Sequence, residues 1–257
     1  MATEPPVFAA EGLSVRFGGF QALQDVSWSA QAGRILGIIG PNGAGKSTCF
    51  QAATNMVRHS GRLLLDGRDV TSFAPHLLPP LGVRRTFQQN AFFGGMTVRD
   101  NLVGILARQA GTPLPLSVLA PPVEARRRRA AEALAAEHLA AFGVPAEAHG
   151  KLPGELPYGA QRLLSIALAC APGARVVLLD EPGAGLGGTD LARLRDLLVR
   201  LRNDGIAVVL IEHHMDLVMS IADEVLVIEQ GRPIACGPPH AVQADPAVLE
   251  AYLGRAA

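Results

Sequence analysis

The hydrophobic residues of this chain fall into short unbroken runs that are separated by helical stretches. Runs of strand length cover residues 35–39, 176–179 and 206–211, and none of them alternates with polar residues. Strands of this kind are buried on both faces, as in a parallel sheet that is covered by helices. Helical patterns follow at about residues 46–57 and 190–202. The pattern therefore predicts an α/β domain with a mainly parallel sheet.

Both ends of this alternation carry a different pattern. Residues 8–32 alternate polar and apolar positions between turns, which predicts an N-terminal subdomain of antiparallel strands. Residues 225–228 and 233–234 flank Gly231, which predicts a closing hairpin.

The middle of the chain is predicted to be an inserted helical lobe. From about residue 89 to residue 169 the pattern is helical and is interrupted by several prolines. Within this segment, residues 123–142 form an amphipathic helix. Its predicted apolar face consists of Leu134, Ala135, Leu139 and Phe142.

The charge balance narrows the classes of function. The 257 residues include 23 basic and 23 acidic side chains, so the formal net charge is zero. A neutral chain has no general field that attracts DNA or RNA, so no nucleic-acid partner is predicted. The basic run at residues 126–129 has glutamates at helical spacing, which favours a solvated helix face over a nucleic-acid or lipid patch.

Hydropathy and cysteine usage indicate a cytosolic protein. The mean hydropathy is +0.24, but the apolar runs are far shorter than the roughly 20 residues of a membrane-spanning helix. The N-terminus lacks the pattern of a signal peptide. Cys49, Cys170 and Cys236 are scattered, which argues against disulfides and structural zinc. His213 and His214 are adjacent and have no third ligand at a suitable spacing, so no metal other than Mg²⁺ is predicted.

A phosphate-binding loop follows the first apolar run. The pattern G-x-x-x-x-G-K-[ST] opens a helix, so that consecutive backbone N–H groups point at a phosphate. Lysine is rare in this chain, with only Lys46 and Lys151, and one of the two stands in the motif. Lys46 is predicted to reach the β- and γ-phosphates, and the Ser47 hydroxyl to ligate Mg²⁺. The predicted nucleotide-binding residues are Gly40, Pro41, Asn42, Gly43, Ala44, Gly45, Lys46, Ser47 and Thr48.

Two adjacent acids end the second apolar run. Asp180 is predicted to hold Mg²⁺ through a water molecule, and Glu181 to polarise the attacking water. Taken alone, such a pair followed by Pro182 is also typical of a solvated turn. The presence of the phosphate-binding loop favours the catalytic interpretation.

Further motifs make nearly the whole chain resemble the nucleotide-binding subunits of ATP-binding cassette (ABC) transporters. Residues 156–162 resemble the signature motif L-S-G/Y-G-x-Q-R, and Gly159 precedes Asp180 by 21 residues, as in that family. Residues 85–88 resemble the Q-loop and residues 211–215 the switch-histidine segment. Residues 184–186 resemble the D-loop, and Phe17 the aromatic residue that stacks on adenine, although Phe20 lies close by.

The resemblance implies a fold and a domain organisation. The expected fold is an ABC ATPase core with a mainly parallel sheet, an N-terminal antiparallel subdomain and an inserted helical subdomain. A single ATP-binding domain would span residues 1–257. Its core lobe would comprise residues 1–88 and 167–240, its helical lobe residues 89–166, and its tail residues 241–257.

The resemblance also implies a mechanism. Two such domains, identical or paralogous, would close head to tail around ATP, so that the signature motif of one meets the γ-phosphate held by the other. Glu181 would be the general base, His213 would contact the γ-phosphate, and Gln88 would sense Mg²⁺ and link the site to the helical lobe. The signature and D-loop residues that would act across the dimer are Leu156, Pro157, Tyr158, Gly159, Gln161 and Leu186.

The implied partners and location follow from the same resemblance. The ATPase would sit on the inner face of the cell membrane against two transmembrane permease subunits, with an extracytoplasmic solute-binding protein as an indirect partner. Residues 85–88, 211–215 and the C-terminal residues 248–254 are similar to those of branched-chain amino acid importers, in particular the larger of the two paralogous ATPases. Importers of urea or short amides share these features.

Two alternative functions remain at this point. A soluble ABC ATPase of DNA repair or translation would need a long coiled-coil insertion or a second cassette, and 257 residues contain neither. An ATP-binding subunit with impaired hydrolysis is suggested by Pro157, which stands where the family has the signature serine. In the branched-chain group this serine is less strict.

We expect Pro157→Ser to raise ATP turnover, because proline has neither the hydroxyl nor the backbone N–H that a serine would offer to a phosphate. Steady-state phosphate release by the wild-type protein and the variant would measure the difference. Unchanged or lower turnover would show that Pro157 does not limit hydrolysis.

Overall fold

A computed structural model describes residues 5–86, 92–109 and 121–253 of the chain. These residues form two compact units, one within Met1–Arg85 and Arg175–Ala257 and the other within Thr86–Ala174. The second unit begins three residues before and ends eight residues after the helical lobe that was expected at residues 89–166. The assignment of the whole chain to one ATP-binding domain stays a prediction.

The first unit contains the strands of two sheets. In chain order they are β1 (Phe8–Phe17), β2 (Phe20–Ala30), β3 (Ile35–Ile39), β4 (Ser60–Leu65), β5 (Arg68–Asp69), β6 (Val83–Arg85), β7 (Val176–Asp180), β8 (Ala207–Ile211), β9 (Glu224–Glu229) and β10 (Arg232–Gly237).

The pairing of these strands confirms the predicted mixture of sheets. The four-stranded sheet has the order β2-β1-β4-β5 and is antiparallel. The six-stranded sheet has the order β10-β9-β3-β8-β7-β6, and its pairs are parallel except β9 with β10. The β9–β10 pair is the closing hairpin expected around Gly231.

The described helices include one on each of the three segments that were individually predicted to be helical. They are α1 (Lys46–Ala53), α2 (Val98–Gln109), α3 (Pro121–Ala141), α4 (Tyr158–Ala169), α5 (Gly188–Asn203), α6 (Met215–Ile221), α7 (Pro239–Gln243) and α8 (Pro246–Leu253). None of them combines the length and the apolar character that a membrane crossing requires.

The core of the first unit explains why its strands carry unbroken apolar runs. Every residue of β3, β7 and β8 is buried. One continuous cluster joins the antiparallel sheet, α1 and the larger sheet, with Phe8 and Phe50 among its largest fully buried side chains. Trp28 belongs to this cluster, with its ring centroid 5.8 Å from that of Phe8 and its Nε1 donating to Cys49 Sγ at 3.2 Å. The alternation of β1 and β2 follows from having only one face on this core.

Helix α1 ends four residues earlier than its apolar pattern predicts. Asn55 lies in the left-handed region with a φ of 56°, which stops the helix. Its amide Nδ2 donates to the carbonyl oxygens of Val70 and Phe73, at 3.1 and 2.9 Å. The hydrogen bonds of the Asn55 side chain to backbone 15 and 18 residues away therefore set the end of α1. The periodicity of the sequence does not reveal these bonds.

The second unit confirms most of the predicted amphipathic face of α3. Ala135, Leu139 and Phe142 are buried as expected. The prediction for Leu134 is wrong, because its side chain is 43% exposed. Leu134 lies about 100° around the helix from Ala135, outside the narrow stripe that the other three residues share.

We expect Gly37→Ala to lower the free energy of unfolding by about 1–3 kcal/mol, because overpacking a well-filled core has this cost. A Cβ at Gly37, in the middle of β3, would lie 2.6 Å from Val218 Cγ1 on α6. Urea unfolding followed by the fluorescence of Trp28, the only tryptophan, would measure the loss. Gly19→Ala is the control, because a Cβ there meets nothing within 4 Å. Equal stability of the two variants would contradict the packing argument.

Candidate nucleotide-binding and hydrolysis site

The phosphate-binding loop begins where β3 ends, and its first glycine is required by close packing. Gly40 has a φ of 151°, and a Cβ there would lie 2.0 Å from the carbonyl oxygen of Ile228 in β9. Gly45 precedes α1 with a φ of 102°, in the left-handed region that favours glycine. The loop therefore turns sharply between a buried strand and a helix, as the motif predicts.

Lys46 is buried inside this loop. Its side chain is 5% exposed, and its Nζ donates to the carbonyl oxygens of Gly40 and Pro41 at 2.8 and 3.0 Å. Burial lowers the pKa of this amine, while the nearby carboxylates of Glu181 and Asp180 act in the opposite direction. The ammonium is thus held by two carbonyl oxygens of the loop and lies in the field of the two adjacent acids at the end of β7.

A cavity of about 200 Å³ opens over the loop. It combines residues of the phosphate-binding loop with two residues predicted to be catalytic, Glu181 and His213, which follow two other strands. Its lining residues are Phe20, Ala22, Asn42, Gly43, Ala44, Gly45, Lys46, Ser47, Thr48, Glu181 and His213. The structure therefore brings together most of the predicted nucleotide-binding and catalytic residues.

Glu181 and His213 form a side-chain pair at the edge of this cavity. Glu181 Oε1 lies 2.8 Å from His213 Nε2. Because a carboxylate only accepts hydrogen bonds, Nε2 carries the hydrogen of this bond. Glu181 has a φ of 50°, in the left-handed region, and its N–H donates to the carbonyl oxygen of Ile211 at 2.9 Å. A strained backbone at a non-glycine residue is frequent in functional sites.

Asp180 does not line this cavity. It ends β7, is 3% exposed, and accepts a hydrogen bond from Arg85 Nη2 at 2.8 Å. Arg85 ends the neighbouring strand β6, and its guanidinium also lies over the ring of Phe50, 5.6 Å from the centroid. Sequence reasoning placed Arg85 in the Q-loop resemblance but missed its ion pair with Asp180. The available signal was a basic residue at a strand end beside the strand that carries the acids.

The two aromatic residues that were considered for stacking on adenine lie at the β1–β2 hairpin. Phe17 and Phe20 are paired across the end of the β1–β2 hairpin, and both are largely exposed. Phe20 lines the cavity and Phe17 does not. Which of the two stacks on a base stays a prediction.

The signature residues lie around the start of α4 in the second unit. Pro157 is the N-cap of this helix, and Tyr158 begins it with a side chain that is 48% exposed. Gln161 donates from its backbone N–H to Pro157 O at 3.0 Å, and from Nε2 to Leu156 O at 2.8 Å. Proline is therefore compatible with this capping position, because backbone N–H groups at the start of a helix have no partner within the helix.

Leu186 and Gln88 are the remaining predicted site residues. Leu186 is buried in the first unit, in a turn where its N–H donates to Gly183 O at 3.0 Å. Gln88 lies outside the described residues.

The residues present are suited to Mg²⁺. A serine hydroxyl at Ser47 and a carboxylate at Asp180 are hard oxygen ligands, which Mg²⁺ prefers together with phosphate oxygens and water. Lys46 is close enough to Asp180 for the carboxylate to affect its pKa, which puts both groups in the same electrostatic environment. The described residues form no cluster of three or more histidines, cysteines, aspartates or glutamates that would hold another metal.

The family model of the ABC transporter matches residues 23–184, more than half of the chain. The chain belongs to the ABC transporter family. A second model, for branched-chain amino acid ATP-binding cassette transporters, matches residues 232–257 of this ABC protein. The family, the relatives and the fold agree that the chain is an ATP-binding subunit of an ABC transporter and an ATPase.

Individual relatives and structures cover nearly the whole ABC protein. It is 38% identical over 253 residues to the high-affinity branched-chain amino acid transport ATP-binding protein BraF of Pseudomonas aeruginosa, covering 98% of this chain and 99% of that protein. It is 37% identical over 255 residues to LivG of Escherichia coli K12, with the same coverage. A nucleotide-free ATP-binding cassette from an ABC transporter superposes with a TM-score of 0.82 at 29% identity, covering 98% of this chain and 100% of that one.

We expect Lys46→Ala to abolish productive ATP binding, because it removes the one lysine that is buried in the phosphate-binding loop. Hydrogen bonds to charged groups contribute about 1.5–3 kcal/mol each, so the loss corresponds to at least about tenfold to hundredfold in Kd. Equilibrium binding of a fluorescent ATP analogue would measure it. Lys151→Arg is the control, because Lys151 is exposed and should tolerate the change. ATP affinity that survives Lys46→Ala would contradict the assignment of the loop.

Proposed function

We propose that the protein powers the import of branched-chain amino acids by hydrolysing ATP between two nucleotide-binding subunits. The single observation that carries the hydrolytic part is the Glu181–His213 pair, which lines the same cavity as Lys46 and the phosphate-binding loop. The match of residues 232–257 to the branched-chain transporter model, and the names of BraF and LivG, support the choice of solute.

The phosphate-binding loop would hold the β- and γ-phosphates of ATP. Lys46 would leave the carbonyl oxygens of Gly40 and Pro41 to reach the phosphates, a move in which one set of hydrogen bonds replaces another. Ser47, Asp180 and Gln88 would hold Mg²⁺, with Asp180 acting through a water molecule. When bound, Mg²⁺ would neutralise charge that develops on the phosphate oxygens.

Glu181 would take the proton of the attacking water. His213 would fix the direction of this carboxylate through its Nε2–H and would contact the γ-phosphate. A general base must lie within hydrogen-bond reach of the proton that it removes, and the exposure of Glu181 to the cavity allows such a position. The left-handed φ of Glu181 supports the role, because a non-glycine residue keeps such a backbone only where its surroundings fix it.

The second half of the site would come from another subunit. Leu156, Pro157, Tyr158, Gly159 and Gln161 would face the γ-phosphate of a second copy or a paralogue, together with the turn at Leu186. Pro157 and Tyr158 are exposed, as a surface for such a contact requires. The start of a helix favours an anion even without the serine hydroxyl. The hairpin aromatics Phe17 and Phe20 would stack on the base.

The proposed partners are two permease subunits and, indirectly, an extracytoplasmic solute-binding protein. The ATPase would act on the inner face of the membrane, where closure and reopening of the nucleotide-binding pair move the permeases. This is a two-state element whose equilibrium ATP binding would shift. The ATPase itself would not contact the amino acid, so the permeases and the binding protein would determine solute choice.

The alternative functions have less support. A soluble repair or translation ATPase is not favoured, because the chain spans nearly the full length of dedicated transport ATPases with a single phosphate-binding loop. A subunit with impaired hydrolysis would be expected to lose the base or the switch histidine, whereas Glu181 and His213 are both present and paired.

We expect the protein to co-purify with two permease subunits and to support ATP-dependent uptake of leucine, isoleucine and valine in proteoliposomes. Glu181→Gln should reduce both ATPase activity and uptake by about 10²–10⁴-fold, the typical contribution of a general base, while ATP binding is retained. Radiolabelled uptake and phosphate release, measured on the same vesicles, would check both parts.

The outcomes separate the parts of the proposal. Uptake of urea or a short amide instead of the branched-chain amino acids would overturn the choice of solute only. ATPase activity that is unchanged by Glu181→Gln would overturn the catalytic assignment.

A further inference from the structure

Glu212 is a buried carboxylate beside the hydrolysis site that no step above has used. It follows β8 directly and is only 1% exposed. Among the described residues, no arginine, lysine or histidine forms an ion pair with it. A buried charge of this kind is costly unless hydrogen bonds compensate it. The hydrogen bonds of its two carboxylate oxygens therefore indicate the role of Glu212.

The two oxygens of Glu212 bind two different segments of the chain. Oε1 accepts a short hydrogen bond from the backbone N–H of Gly183. Oε2 accepts hydrogen bonds from the N–H groups of His213 at 3.0 Å and His214 at 3.4 Å. Gly183 lies two residues after Glu181, so one carboxylate joins the backbone of the segment that carries the base to the backbone that carries the switch histidine.

The packing around this bridge is tight. Gly183 is buried, and a Cβ there would lie 2.7 Å from Glu212 Oε1 and 3.2 Å from His214 Cδ2. Any larger residue at position 183 would therefore displace the carboxylate. The side chains of Glu181 and His213 meet at 2.8 Å on the cavity side of the same two segments.

We propose that Glu212 is a positioning residue for ATP hydrolysis, which sets the distance between Glu181 and His213 by joining the backbones of their two segments. The proposal rests on the catalytic roles proposed above for Glu181 and His213. Glu212 does not line the cavity, so it acts through these residues and not on the nucleotide. Charge-assisted bonds to backbone N–H groups are short and strong, which suits a rigid link.

The test is Glu212→Gln, alone and combined with His213→Ala. An amide has one accepting oxygen, so its NH₂ must face the N–H of Gly183 or those of His213 and His214, and one segment is released. We expect kcat to fall about tenfold or more, from the loss of bonds to a charged group. KM and the Kd for ATP should stay within about twofold of wild type, because the phosphate-binding loop is not touched.

The double variant distinguishes positioning from folding. If Glu212 acts through the Glu181–His213 pair, Glu212→Gln should have little further effect on the residual rate of His213→Ala, because residues that act as a unit are not additive. The same fold-loss in both backgrounds would show that the carboxylate only supports the fold, and would overturn the proposal. So would a kcat for Glu212→Gln that equals the wild-type value.

A second variant and a second measurement keep the proposal testable if Glu212→Gln does not fold. Gly183→Ala approaches the same bond from the other side and should lower kcat in the same way, which decides the matter if Glu212→Gln does not fold. Hydrogen exchange at residues 181–186 and 212–214 should accelerate in both variants, while residues 40–48 keep their protection. Unchanged exchange at both segments would overturn the proposal.

Asp223→Asn is the matched control. Asp223 Oδ2 also accepts a backbone N–H, that of Ile35 at 2.8 Å, and it does not line the cavity. We expect this variant to keep its kcat. The wild type and Glu181→Gln are measured in parallel. If wild type is active but Glu181→Gln is not impaired, the catalytic assignment fails; if Glu181→Gln is impaired and Glu212→Gln is not, only the positioning role fails.

Discussion

The parallel pairing of β3, β8 and β7 is the constraint on which the site depends. Parallel neighbours end at the same edge of a sheet, so the residues that follow them meet. Gly40 follows β3, Glu181 follows β7 and Glu212 follows β8, with Asp180 in register with Ile211. Each of these strands is buried along its whole length, which anchors the loops to a rigid base. A site on such supports can be preorganised without a dedicated scaffold of its own.

The charges at this edge are arranged as specific pairs and not as a general field. The chain as a whole is neutral, yet Lys46, Arg85, Asp180 and Glu212 are all buried within it. Lys46 is held by carbonyl oxygens and Asp180 by a guanidinium, whereas backbone N–H groups hold Glu212. In the protein interior, where polarity is low, such contacts are stronger than in water. They also fix the orientation of the charged side chains. The neutral total and the charged site are therefore compatible.

Much of the fold and of the candidate site was predictable because the signals are local. Unbroken apolar runs require burial on both faces, and the lysine-bearing glycine loop requires a sharp turn from strand to helix. The two exceptions have different causes. Leu134 is exposed because only a narrow stripe of α3 is covered, and α1 ends early because Asn55 bonds to carbonyl oxygens that lie 15 and 18 residues further along the chain. Contacts of that kind leave no periodic trace.

The sequence by itself determined the alternation of buried strands with helices, the phosphate-binding loop and the candidate acids and histidine of the site, since each depends on residues that are close in the chain. Only the tertiary structure decided that Asp180 pairs with Arg85, that Phe20 lines the cavity, and that Glu212 joins the segments of Gly183 and His213. The physical reason is distance along the chain. Arg85 and Asp180 lie 95 residues apart and Gly183 and Glu212 29, so sheet pairing alone brings them within hydrogen-bond reach.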